Sequence, residues 1–149
     1  MNEYSEKLRP SMGVYLIVAF AIPFFTLTLA PFSLPLGLIV GFAVFATISV
    51  LLHAASPRIA VTATTLSAGK AVIDRTFIGT VSAYSGESAR EERGLKLDAR
   101  AWTLFRGFID PVVKISLTDP SDPTPYWLIS TRRPKQLTEV LRAGRSVAT

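Results

Sequence analysis

Arg132 and Arg133, with Lys135 just beyond, form the strongest candidate ligand site in the sequence. They fall where a strand-like run ends and a helix-like run begins at Pro134. A helix N-terminus carries unpaired N–H groups and partial positive charge. Two guanidinium forks beside it suit a phosphate or a carboxylate. The competing reading is a solvated basic pair balanced by acids such as Asp98.

Tyr126 and Trp127 precede that junction. Neighbours on a strand point to opposite faces, so one is expected in the core and the other is open for a partner contact. Gly37 and Gly41 stand four apart in an apolar run, where missing side chains admit another helix. That helix is either the chain's own or a partner's. His53 is the sole histidine and is expected at headgroup depth rather than in an ion path. Glu91 and Glu92 lie among Arg90 and Arg93 and read as a solvated charge run. Asp119 and Asp122 each precede a proline, the pattern of turns rather than of a calcium loop. No cysteine is present, which excludes disulfides and thiolate chemistry. One histidine and no cysteine leave no expected metal site. Glycine-rich phosphate loops and nucleophile elbows are absent, and no cofactor is expected.

The elements that carry these residues are of two kinds. Between Arg9 and Arg58 lie 48 residues without a Lys, Arg, Asp or Glu. A span needs about 20 residues, so this stretch is long enough to cross a bilayer twice. Residues 12–30 and 36–55 form two apolar runs separated by Pro31-Phe-Ser-Leu-Pro35, and they predict a transmembrane helical hairpin. Pro23 should kink the first helix. The acidic residues Glu3 and Glu6 and the length of the run argue against a cleaved signal peptide. Lys7, Arg9 and Arg58 flank the runs while the connection carries no charge. Basic flanks stay inside, so both termini are expected in the cytoplasm, residues 1–11 as a short N-terminal segment.

Residues 58–149 carry 14 basic and 9 acidic side chains and change to strand period. Ile59, Val61 and Ala63 alternate with threonines, Ser67 to Gly69 turn, and residues 70–74 and 77–84 predict two more strands. Residues 85–100 read as a polar loop with a helical turn near 88–93. Strands follow over 101–106, 112–118 and 126–131. Trp102, Phe105 and Phe108 are expected to fill the core. A C-terminal helix is predicted over 134–143, with Leu137, Val140 and Leu141 on one apolar stripe. Gly144 suits its cap, and Arg142 and Arg145 suit its negative end. The fold class is thus α+β. A transmembrane hairpin precedes an antiparallel sheet or partial barrel closed by a helix, an order similar to the pleckstrin-homology-like architecture.

The string from Thr118 to Leu137, with DPSDPTPYWLISTRRP inside it, and the Asp98-Ala-Arg-Ala101 segment resemble an actinobacterial family of small two-span membrane proteins of unknown function. The resemblance implies the hairpin and the domain but brings no activity, substrate or catalytic residue.

These features predict a non-enzymatic binding or scaffold protein of the cell membrane, serving as an accessory subunit of a larger membrane complex. The alternative is a tethered domain that binds anionic lipid headgroups through Arg132, Arg133 and Lys135. A membrane enzyme of envelope or lipid metabolism has only location in its favour. The net charge of +5 suits a domain beside an anionic leaflet and does not call for nucleic acid.

Overall fold

A computed structural model describes residues 3–143 and divides the chain into two units. Arg9–Ser56 is one unit, and Met1–Leu8 together with Pro57–Thr149 is the other. The C-terminal Gly144 and Arg145 named above lie outside the described residues.

The first unit is helical: α1 (Met12–Ala19), α2 (Ala21–Leu29) and α3 (Leu34–Ala54). Taken as 18 and 21 residues, Met12–Leu29 and Leu34–Ala54 are long and apolar enough to cross a membrane. The break between α1 and α2 falls at Phe20, three residues before Pro23. Proline offers no N–H to the carbonyl of Ala19, and its ring crowds that carbonyl, so the helix must open there. Ser33 begins α3 by accepting the amide of Leu36 at 3.4 Å, with Pro35 in the first turn. Gly37 and Gly41 are the only buried residues of α3. A Cβ on Gly37 would lie 2.8 Å from Cα of Thr26, and one on Gly41 would lie 2.8 Å from Cα of Ile22. Backbone meets backbone at both places, which only glycine permits.

The second unit begins before the helices. Tyr4–Lys7 is strand β1, followed after the hairpin by β2 (Arg58–Val61), β3 (Thr65–Ala68) and β4 (Ala71–Asp74). These four form one antiparallel sheet in the order β1-β2-β3-β4. Tyr4 pairs with Val61 and Lys7 with Arg58, and the Leu8 amide extends the ladder to the Pro57 carbonyl at 2.9 Å. The N-terminal segment is therefore part of the β domain, not a separate tail. The chain reverses at Gly69, whose φ of +64° suits the turn between β3 and β4 expected at Ser67 to Gly69, and it also reverses at residues 62–64, where the Thr62 hydroxyl accepts the amide of Thr65 at 2.9 Å and closes a second tight turn.

A single 3-10 turn (Arg75–Phe77) leads into β5 (Ile78–Tyr84). Helix α4 (Gly86–Arg93), β6 (Trp102–Leu104), β7 (Val112–Leu117), β8 (Tyr126–Ser130) and α5 (Pro134–Ala143) complete the unit. The second sheet runs β5-β7-β8-β6, antiparallel except that β6 lies parallel to β8. One core joins Tyr4, Ile59, Leu66, Ile115, Trp127 and Ile129 from both sheets with Leu137 and Leu141 of α5. A smaller cluster on the other face of the second sheet holds Ala89, Val112, Tyr126 and Leu128, with Phe105 packed on it. Trp102 and Phe108 face the main core, so the three aromatics expected together divide between two faces.

Candidate functional site

The β8–α5 junction is built as the sequence suggests, and it is already occupied by a carboxylate of the chain. Leu137 donates to the Arg133 carbonyl at 3.0 Å, so α5 starts beside Arg133, with Pro134 in the first helical position. Thr131, fully buried at the end of β8, is fixed by its amide to the Pro111 carbonyl at 3.0 Å. Its hydroxyl donates to Glu6 Oε2 at 2.5 Å and accepts the Arg133 amide at 3.0 Å. The Arg132 amide donates to Glu6 Oε1 at 3.0 Å. The Tyr4 hydroxyl donates to Glu6 Oε2 at 2.6 Å. Glu6 is 8% exposed. Strand period explains this: Tyr4 and Glu6 share the inward face of β1, while Ser5 is exposed and Lys7 only half-buried. Burial, reinforced by the hydrogen bond to Glu6, pushes the Tyr4 hydroxyl well above its ordinary pKa of 10.0.

The Arg132, Arg133 and Lys135 side chains are exposed. Arg132 lies over the Phe108 ring at 5.9 Å. The acid facing the junction is Glu6, not Asp98, which instead pairs with Arg100 at 3.1 Å. Nothing in the sequence alone marks Glu6 for this role, because its partner Arg132 is 126 positions away.

Tyr126 and Trp127 correct the expectation of an exposed aromatic. They do point to opposite faces of β8, but they are 8% and 5% exposed. β8 is an interior strand covered on both sides. Trp127 enters the main core and meets Trp102, its neighbour across the parallel pair, at 4.7 Å between rings. Tyr126 is covered on the other face, accepts the Asp98 amide at 2.8 Å and lies under Lys114 Nζ at 4.3 Å.

Glu92 is a second correction. It is buried, and Lys114 Nζ reaches its Oε2 at 2.7 Å, while Glu91 is the solvent-side partner of Lys96 at 2.6 Å. The Glu92 hydrogen bond raises the Lys114 pKa. α4 is a full helix whose Ala89 packs with Val112 of β7 in the smaller cluster, so Glu92 of the run is turned inward toward Lys114. Arg75 is likewise committed: its Nη1 donates to the Thr62 carbonyl and its Nη2 to the Val140 carbonyl, each at 2.7 Å. Val140 lies in the last turn of α5, whose carbonyls lack helical partners.

Asp119 and Asp122 accept the amides of Ser121 and Thr124 at 2.8 and 2.9 Å, the turn geometry that Asp–Pro pairs favour. Among the described residues no group of three or more His, Asp or Glu is placed to hold a metal ion. Within the helical unit, α2 covers Gly37 and Gly41, so a partner's helix would first have to displace it. His53 is exposed and lines a groove with Tyr15 and Ser49.

No curated protein and no solved structure matches the chain significantly. From residue 3 to residue 141 it matches one family, described as protein of unknown function (DUF3093), and the chain belongs to that family.

Proposed function

We propose that this chain is a membrane-anchored docking protein, an accessory subunit of a larger membrane complex with no chemistry of its own. The α1–α3 hairpin crosses the cell membrane twice, and the pleckstrin-homology-like β domain stands in the cytoplasm. The observation that carries this reading is the pairing of β1 with β2. The hairpin leaves the domain after Leu8 and returns to it at Pro57, residues joined by a hydrogen bond of 2.9 Å. A domain closed through both flanks of an apolar hairpin holds them on one side of the bilayer, and Lys7, Arg9 and Arg58 favour the cytoplasmic side. The buried charged groups support binding over catalysis, since Glu6, Glu92 and Arg75 are each spent on joining elements. Gentle solubilisation of membranes and size separation, followed by mass spectrometry, tests the reading. A stoichiometric complex larger than the chain's own oligomer is expected. A chain that always migrates alone would refute it.

The exposed side chains of Arg132, Arg133 and Lys135 favour one second reading, an anionic-headgroup contact. With Glu6 on the junction amide, such a contact would use side chains alone. Arg132→Ala with Arg133→Ala should then weaken binding to anionic vesicles by about tenfold or more, and salt should mimic the change. Any domain fragment used for this must keep residues 3–8, because Arg58 onward lacks β1 and Glu6.

A further inference from the structure

We propose that the open edge of β5 receives an extended segment of the partner protein as an added strand, with an acidic side chain of that segment on Lys135. The inference deepens the docking reading and rests on it.

β5 is an edge strand, bonded to β7 on one side only. Backbone groups of an antiparallel strand point alternately to its two sides, and β7 shows which way each points. The Thr131 amide donates to the Pro111 carbonyl at 3.0 Å, and the Leu117 amide donates to the Pro125 carbonyl at 3.1 Å. By alternation Val113 and Ile115 also turn their backbone groups toward β8. Val112 and Lys114 turn theirs toward β5, where they face Tyr84 and Ser82. Val81 and Ala83, opposite Ile115 and Val113, are therefore left pointing outward. Arg142 of α5 marks that side, since its Nη2 donates to the Val81 carbonyl at 2.7 Å. Two positions on, the Ala83 amide and carbonyl have no partner among the described residues.

Ala83 is exposed and lines a cleft of about 310 Å³ with Lys135, Thr138, Glu139 and Arg142 of α5. α5 thus closes the edge at Val81 and leaves it open at Ala83. An unpaired strand edge beside a cleft is a template for an extended chain, whose main-chain hydrogen bonds supply affinity. An edge that offers both a donor and an acceptor asks for a second backbone, whereas the phosphate and ester oxygens of a lipid only accept. Charge selects among such chains. Lys135 is exposed and enters no ion pair among the described residues, although Glu139 stands one turn away. Lys135 and Arg142 outnumber Glu139 in the cleft, so an acidic segment is the complementary one.

The test uses the full chain in the complex released by gentle solubilisation. Hydrogen exchange at residue resolution compares that complex with the chain alone. The Ala83 amide should exchange at least about tenfold more slowly in the complex, while the Ser82 amide, already in the ladder, changes little. Ala83→Pro removes the outward donor and no ladder bond, and an outward N–H is where a strand tolerates proline. It should weaken the complex by about tenfold or more, and Ala83→Ser, which keeps the donor, should leave it near the original. Carbodiimide should couple Lys135 to an Asp or Glu of the partner, and Lys135→Glu should weaken the complex with the circular dichroism of the chain unchanged. An Ala83 amide that exchanges equally fast in the complex, or coupling of Lys135 to a second copy of this chain, would overturn the proposal. So would a complex indifferent to both Ala83→Pro and Lys135→Glu. Those outcomes leave the docking reading standing, whereas a chain that always migrates alone refutes that reading and the proposal with it.

Discussion

Replacing Glu6 by Ala should leave the buried Thr131 hydroxyl and the Arg132 amide without their acceptor. Each unsatisfied buried polar group costs about 1–3 kcal/mol, so a loss of about 2–4 kcal/mol is expected in denaturant unfolding of the full chain in detergent. A loss under about 0.5 kcal/mol would mean that water replaces the carboxylate. Tyr4 gives a second reading of the same cluster. Its pKa is raised on folding, so the protonated phenol is favoured by the native state. That contribution is complete below the unfolded value of 10.0 and is lost as pH rises through the folded value. In an ultraviolet titration Tyr4→Phe should therefore remove one late-titrating tyrosine; loss of an early one would contradict the burial. Position 6 could not be picked out in advance. The segment YSEK has two apolar-facing positions at most, and Glu6 fills one of them with a charge. What makes it a strand residue is a partner edge more than 50 residues away.

The helices were the most legible elements. Length and an unbroken apolar character sufficed for the hairpin, and Pro23 foretold its break at Phe20. Gly41 makes the hairpin testable. A larger residue there must strike the Ile22 backbone, whereas Gly13 meets nothing nearer than the Ser11 hydroxyl at 3.7 Å. Gly41→Leu should lower the thermal midpoint in detergent by at least about 5 °C, and Gly13→Leu should leave it near the original. Equal effects would mean that α2 and α3 do not meet at the glycine. The α5 stripe was equally plain, and Leu141 is 2% exposed beneath it. Leu141→Ala should cost about 2–4 kcal/mol, and a cost below about 0.5 kcal/mol would mean that α5 is undocked. The strands were legible as alternations, but two features escaped. The Thr62 side chain adds a turn ahead of the one at Gly69 by accepting the Thr65 amide, and periodicity cannot show that. Tyr126 and Trp127 both became buried because β8 is interior and covered on its second face by polar sequence that had looked like a loop.

At the scale of the whole molecule, the β domain is discontinuous in sequence, assembled from residues before and after the hairpin. Hydropathy marks where the apolar segment lies but says nothing of whether its flanks meet. The ladder from Tyr4–Val61 to Lys7–Arg58 supplies that information: the two flanks pair directly. Cysteine accessibility measures this directly, because the chain has no cysteine of its own. Ser5→Cys lies on β1, Ser121→Cys in the β7–β8 loop and Ser33→Cys between the two apolar helices. With a membrane-impermeant maleimide on intact cells, only Ser33→Cys should label, and Ser5→Cys and Ser121→Cys should label together once the membrane is opened. Labelling of Ser5→Cys or Ser121→Cys in intact cells, or of all three alike, would contradict a two-span anchor with its domain in the cytoplasm.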